Sequence, residues 1–274
     1  MKRRHILEKL DYLINYLLEE NSEVKIDEIP NNQDSKKRLY RSLCNIREPK
    51  PISKEYLQVE DEYLKDELKK KQITKVENIK TVFENYGEVN LKNKNRICLW
   101  QGDITLLQID AIVNAANSQG LGCFIPCHKC IDNQINSFAG IRLRLECNKI
   151  MKQKNYNLKT SEVIITSGYN LPAKYIIHTV GPIIYNQVTE IEESQLAKCY
   201  QNCLELAIKN NIKTIAFPCI STGEFRFPKE LACQIAIKTV DEFLTQNSAQ
   251  FDKVVFNVYN EEDLKLYERY IKSN

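Results

Sequence analysis

The chain is poor in the residues that build the commonest nucleotide and metal sites. It has three histidines (His5, His128 and His178) and eight glycines in 274 residues, well under the roughly 7% glycine of an average protein. Neither a Gly-Lys-Ser/Thr phosphate loop nor a Gly-x-Gly-x-x-Gly run occurs, so the Walker and dinucleotide fingerprints are both absent. No stretch of eighteen apolar residues exists, and no membrane span is expected. Met1-Lys-Arg-Arg-His5 leads into an amphipathic pattern rather than an apolar signal core. The formal charge is only +3, with Lys and Arg spread along the chain, so no field points to duplex nucleic acid and a nucleic-acid partner is not expected. The ten cysteines are irregularly spaced in a chain too large for a secreted disulfide scaffold, which predicts a reducing, cytoplasmic setting. A monomer is the default expectation.

What is present is concentrated. Seven of the eight glycines lie between Gly102 and Gly223, and Gly102, Gly120, Gly122 and Gly223 flank the segments that carry chemistry. The densest of these is Gly122-Cys-Phe-Ile-Pro-Cys-His-Lys-Cys130. Cys123, His128 and Cys130 offer two thiolates and an imidazole. That donor set suits Zn2+, and a site with three protein ligands keeps a fourth position for water or substrate. On spacing alone the cysteines serve equally well as small buried hydrophobes. Cys127 is an alternative ligand, either in place of one of the three or as a fourth that closes the shell.

Periodicity divides the chain at about residue 72. Ile6, Leu7, Leu10, Leu13, Ile14, Leu17 and Leu18 recur at helical spacing, Leu39, Tyr40 and Leu43 share a second helical face, and Ser53 is an N-cap candidate before Tyr56, Leu57, Tyr63 and Leu64. This region carries no ligand-type constellation, so its predicted role is packing. From Ile73 onward, short apolar runs alternate with helical segments. Strands are predicted at Ile97–Trp100, Ala111–Val113, Val163–Ile165, Tyr175–Val180, Thr214–Phe217 and Val254–Val258. Helices are predicted at Ile131–Met151, Glu193–Asn210, Lys229–Thr245 and Glu261–Ile271. This is the pattern of an α/β layered sheet covered on both faces, whose ligands bind beyond the carboxyl ends of the strands.

Three further loops sit at predicted strand ends. Asp103, in Gly102-Asp103-Ile104-Thr105, can accept from an exocyclic amine or cap the next turn. Asn114 and Asn117 suit ribose hydroxyls, although Asn is also a common turn residue. Ser221-Thr222-Gly223-Glu224-Phe225 precedes a helix and can offer backbone N–H groups to a diphosphate. His178, inside an apolar run, reads as a satisfied core histidine.

From about Ile97 to the C terminus the chain resembles the macrodomain family. The resemblance lies in Trp100-Gln-Gly-Asp-Ile-Thr105, Asp110-Ala-Ile-Val-Asn-Ala-Ala-Asn117, Ile177-His-Thr-Val-Gly-Pro182 and Ile220-Ser-Thr-Gly-Glu-Phe-Arg-Phe-Pro228. The insertion 121–133 is similar to that of a zinc-dependent subgroup whose members hydrolyse ADP-ribose from protein side chains and carry a helical N-terminal extension. The resemblance implies an α/β/α three-layer fold with a mixed central sheet over residues 73–274, preceded by a helical extension over residues 1–72. It implies that Asp103 and the Ile104 backbone bind adenine, that Tyr259 packs on it, and that Asn117 contacts the distal ribose. Ser221, Thr222, Gly223, Glu224 and Phe225 would wrap the diphosphate, while Cys123, His128 and Cys130 hold Zn2+. Asn117 and Asp132 fall at catalytic positions. The implied activity is removal of mono-ADP-ribose from acidic side chains of a modified protein, releasing ADP-ribose. A reader that binds ADP-ribose without turnover is the alternative, because Asn136 stands where the family usually has His and cannot act as a general base. A structural zinc protein binding RNA is disfavoured by the balanced charge.

Overall fold

The computed structural model describes residues 2–26, 28–247 and 250–273, with side chains from Glu8 onward apart from those gaps. The side chains of His5, Ile6 and Leu7 therefore lie outside the described residues. Three helices come first: α1 (Lys2–Glu20), α2 (Gln33–Ile46) and α3 (Lys54–Leu68). Local chemistry sets their starts. Asn32 accepts from the Ser35 N–H at the head of α2, and Ser53 accepts from the Tyr56 N–H (3.0 Å) at the head of α3. Leu10, Leu13, Ile14 and Leu17 form the buried stripe of α1. They join Tyr40, Leu43, Tyr56 and Tyr63 in one cluster that reaches Ile141 in the following α/β body. Each such aliphatic side chain contributes about 1.5–3 kcal/mol by burial, so this stripe fastens the three helices together and to the body.

In the body, β1 (Thr74–Lys75) pairs in parallel with β3 (Leu107–Gln108), and α4 (Val82–Tyr86) opens on a Thr81/Glu84 capping box. These short elements carried too little periodicity to be predicted. The central sheet contains β2 (Ile97–Gln101), β4 (Ala111–Ala115), β5 (Val163–Ser167), β6 (Tyr175–Thr179), β7 (Thr214–Phe217) and β8 (Lys253–Val258). Its order is β2-β8-β7-β4-β6-β5; every pair is parallel except β5–β6. The helices of the body are α5 (Ile131–Ala139), α6 (Ile141–Gln153), α7 (Glu190–Lys209), α8 (Lys229–Gln246) and α9 (Glu261–Ser273).

Strand side chains alternate between faces, and the two cores follow that alternation. Ile97, Leu99, Ala111, Val113, Ile215, Phe217, Val254 and Phe256 face a core built with α7, α8 and α9. Cys98, Ile112, Ile176, Ala216 and Val255 face the opposite core, with Ile135 and Ala139 of α5 and Leu143 and Cys147 of α6. The result is the three-layer α/β/α fold with a mixed central sheet. The single helix expected over Ile131–Met151 is instead two. Gly140, at φ 94°, breaks it in a conformation that strains any side chain, and a Cβ there would lie 2.9 Å from Glu60 Oε2 of α3.

Candidate active site

Parallel strands bring the motif loops to one edge. The carboxyl ends of β2, β8, β7, β4 and β6 release, respectively, the Gly102–Asp103 turn, Tyr259, the 218–228 loop, the 116–130 loop and Gly181-Pro182. The β2–β8 register pairs Gln101 with Val258. The Gly102 N–H then donates to the Val258 carbonyl (3.0 Å), and Asn257 Nδ2 donates to the Gly102 carbonyl (2.9 Å). Tyr259, 77% exposed, thus stands beside the Asp103 turn. Asp103 Oδ1 accepts from the Thr105 N–H (2.9 Å) and hydroxyl (2.6 Å), so it caps the short 3-10 turn Ile104–Leu106. Among the described residues, nothing donates to Oδ2 within the hydrogen-bonding limit, which leaves that oxygen for an outside donor.

The centre of the site is built under α5. Asn114 and His178 are register partners on β4 and β6 and share the face of Ile112 and Ile176, the face that α5 covers. Asp132, in the first turn of α5, is 4% exposed. Asn114 Nδ2 donates to its Oδ1 (2.7 Å), Asn136 Nδ2 to the same oxygen (3.1 Å) and Asn117 Nδ2 to Oδ2 (3.3 Å). Burial pushes its carboxyl up to about 6, with the Asn114 bond opposing. The expectation that Asn114 faces ribose is corrected: it is fully buried, its Nδ2 is engaged by Asp132 and by His178 Nδ1 (3.1 Å), and its Oδ1 is buried without a partner. His178 is a core histidine, with Nε2 2.8 Å from the Thr166 hydroxyl and its pKa pushed down to about 4 by burial. Asn136 braces Asp132 through both the carboxylate and the main-chain carbonyl (2.9 Å). Asn117 is engaged at both ends, donating to the Gly122 carbonyl (3.2 Å) and accepting from the Gln119 N–H (3.0 Å). Gly122, at φ 85°, lies so close to Asn136 that a Cβ would sit 2.6 Å from that side chain.

Cys123, His128 and Cys130 come together, with all three ligand atoms within 4.8 Å of one another. Cys123 Sγ lies 3.7 Å from His128 Nδ1. Ligand bonds of about 2.3 Å to sulfur and 2.0–2.1 Å to nitrogen at tetrahedral angles place S and N about 3.6 Å apart, so the donor set fits zinc in chemistry and in spacing. Burial pushes the Cys130 thiol up to about 12; a bound cation reverses such a shift by favouring the thiolate. His128 Nε2 faces Glu224 Oε1 at 3.6 Å, across from the 218–228 loop. Cys127 turns away: at φ 52° its thiol donates to the Arg38 carbonyl (3.3 Å). Among the described residues, the cluster has three members and Cys127 is not one of them.

In the 218–228 loop, Ser221 (φ 66°) is buried, and its hydroxyl finds no hydrogen-bond partner. Gly181 makes room for it, since a Cβ there would lie 1.9 Å from Ser221 Oγ. Thr222 donates to the Cys219 carbonyl (2.9 Å). Gly223 and Glu224 are exposed, and Phe225 packs partly on Met151, Leu158, Ile164 and Val180.

Sequence reasoning missed the support beneath the cysteine loop. Arg41 Nη2 of α2 donates to the His128 carbonyl (2.8 Å) and Asn133 Oδ1 (2.6 Å). Asn45 Oδ1 accepts from the Cys127 N–H (2.8 Å). Arg144 of α6 donates to the carbonyls of Cys44, Asn45 and Arg47 at the end of α2 and, on its other side, to those of Leu121 and Cys123. One signal was available. Arg144 stands in the stripe Ile141, Arg144, Cys147, Met151, where an interior charge needs partners.

Comparison with known proteins assigns the chain to a family. The model of the Macro domain matches residues 113–236. A protein-ADP-ribose hydrolase of Treponema medium is 44% identical over 262 residues, covering 96% of this chain and 97% of the relative. The chain belongs to the macro domain family. The protein-ADP-ribose hydrolase of Staphylococcus aureus strain MRSA252 is 45% identical over 260 residues, covering 94% of this macro domain protein and 93% of the relative. The crystal structure of a Trypanosoma brucei macrodomain in complex with ADP-ribose superposes with a TM-score of 0.65 at 28% identity, covering 84% of this chain and 94% of that one. Among the described residues, no helix is long and apolar enough to cross a membrane.

Proposed function

We propose that this macro domain protein is a zinc-dependent hydrolase that removes ADP-ribose from modified protein side chains. The observation that carries the reading is the placement of Asp132, a buried carboxylate held by three asparagine amides at the base of the Cys123–His128–Cys130 loop. The high identity to protein-ADP-ribose hydrolases over nearly the whole chain supports it. In this reading Asp103 and Tyr259 hold the adenine, the Ser221–Phe225 loop wraps the diphosphate, and Asn117 and Asp132 meet the distal ribose. Cys123, His128 and Cys130 would hold the zinc, which would supply Lewis-acid charge to the site. Asp132 orients a water and takes its proton as the water oxygen bonds to the anomeric carbon. The bond from that carbon to the side-chain oxygen breaks, and an acidic side chain leaves as a carboxylate. The products are ADP-ribose and the unmodified protein. Binding of the adenosine diphosphate, remote from the reacting carbon, aligns the scissile bond.

The test is metal content by mass spectrometry, paired with release of ADP-ribose from a mono-ADP-ribosylated protein before and after chelation. The expected result is about one zinc per chain and turnover that chelation abolishes and zinc restores. Protein that is loaded with zinc and still inert on the modified protein overturns the reading; if it binds ADP-ribose without release, it is a reader.

A further inference from the structure

We propose that a basic groove between α2 and α5 holds an acidic stretch of the polypeptide that carries the ADP-ribose, so that the enzyme selects its substrate by the protein part as well as the nucleotide. The inference rests on the hydrolase reading for the identity of the occupant. The groove encloses about 450 Å³ where α2 and the end of α3 meet the body. Five cations line it: Lys37, Arg38, Arg41, Lys71 and Lys129. The one carboxylate there, Glu67, is paired with Lys37 (2.5 Å) and Lys70. Among the described residues, Arg38, Arg41, Lys71 and Lys129 have no acidic partner within 4 Å. Arg41 spends its Nη2 on neutral oxygens, and its Nε is buried without a partner. For a chain whose formal charge is only +3, this is a local concentration of unneutralised positive charge, and charge complementarity calls for an anionic occupant.

Two features narrow the class. Three rings line the groove: Tyr40 and Tyr63 are buried in the cluster of the three helices, and the Phe138 ring already carries Lys71 (4.2 Å from the centroid) and Arg41 (5.9 Å). Rings buried or occupied in this way are no stacking platform for bases, which single-stranded nucleic acid sites need. Leu68, Leu106 and Leu171 add aliphatic surface beside the polar Thr105, Ser137 and Asn170, which suits a peptide with mixed acidic and apolar residues. Position gives the link to chemistry. Cys127 and Lys129 line the groove, whereas the adjoining His128 and Cys130 belong to the ligand cluster. The wall of the groove is therefore the outer side of the loop that carries the cluster, and a protein whose modified side chain reaches the cluster passes close by.

The experiment uses the double variant Arg38→Glu/Lys71→Glu, with Lys71→Glu alone as a milder form and thermal melting as the control for folding. Three substrates are compared: a mono-ADP-ribosylated peptide with Asp/Glu flanks, the same peptide with Asn/Gln flanks, and an acetyl ester of ADP-ribose without any peptide. The expected result is a KM about tenfold higher for the acidic-flanked peptide alone, with kcat unchanged and the other two substrates unaffected. An unchanged KM for that peptide, or an equal rise for the acetyl ester, overturns the proposal. Anisotropy of a fluorescent, unmodified Asp/Glu decapeptide gives a reading independent of turnover. If the wild type hydrolyses nothing, the hydrolase reading fails, yet salt-sensitive peptide binding lost in the double variant still supports the groove. Absence of peptide binding overturns it, as does tighter binding of a single-stranded RNA oligonucleotide.

Discussion

The three N-terminal helices and the α/β body reach the same site by different routes. The body carries every motif, and its chemistry was visible as residue types at strand ends. The helices carry none, yet α2 holds the cysteine loop from outside through Arg41, Asn45 and the carbonyls that Arg144 bridges. The contrast separates groups that react from groups that hold. The former need particular side chains at particular places in the sequence. The latter need only a donor or acceptor at the right point in space, which many sequences supply.

Variants in the two regions therefore differ in size and kind of effect. The largest is expected in the body. Asp132→Asn should lower release of ADP-ribose from a modified protein by about 10²–10⁴, the usual worth of a positioned general base, with zinc content retained. Near-normal turnover would move the chemistry off this carboxylate. The next is expected from the helices. Arg41→Ala, far from any motif, should weaken zinc binding by roughly 10–100-fold, as removal of a group that supports a ligand does, measured by competition with a chromophoric chelator. An unchanged affinity would reduce α2 to packing and erase the comparison.

A third effect is confined to nucleotide binding. Tyr259→Ala should weaken ADP-ribose binding by about tenfold in calorimetry, at the low end of the loss when a base gives up an aromatic partner, and leave the melting temperature unchanged because the ring is exposed.

The last effect, on stability and not on activity, concerns the seam between the regions. Glu60 of α3 is fully buried, accepting from the Tyr40 hydroxyl (2.7 Å) and the Ile141 N–H (2.9 Å). Burial pushes its carboxyl up from 4.5 to about 7, against the pull of those two bonds. The folded state therefore binds this proton more tightly than the unfolded chain. The contribution is fully present below about pH 4.5 and is lost as pH rises through about 7. Glu60→Gln, neutral at every pH, should be more stable than wild type at alkaline pH by at most about 3 kcal/mol. The two proteins should converge in mild acid, as read by thermal melting against pH.

Much of this was legible beforehand, because strands and helices write their period into the sequence. The six strands of the central sheet and the cap at Ser53 arise from neighbours along the chain. The break at Gly140 was missed because helical spacing continues across it, and the reason for the break, the side chain of Glu60, lies on another element. Asn114 was misread for a related reason. An asparagine beside a motif looks exposed until the register places it opposite His178, beneath α5.

By itself, then, the sequence determined the layered architecture, the order of the loops and the stock of ligand-type side chains, since each depends on local periodicity or residue chemistry. Only the tertiary structure decided that Cys127 points to Arg38 while Cys123, His128 and Cys130 converge, that three asparagines hold one buried carboxylate, and that α2 underpins the cysteine loop. Those outcomes depend on groups as many as 100 residues apart in the chain. Their meeting is set by how the packed layers fit together, which no local pattern encodes.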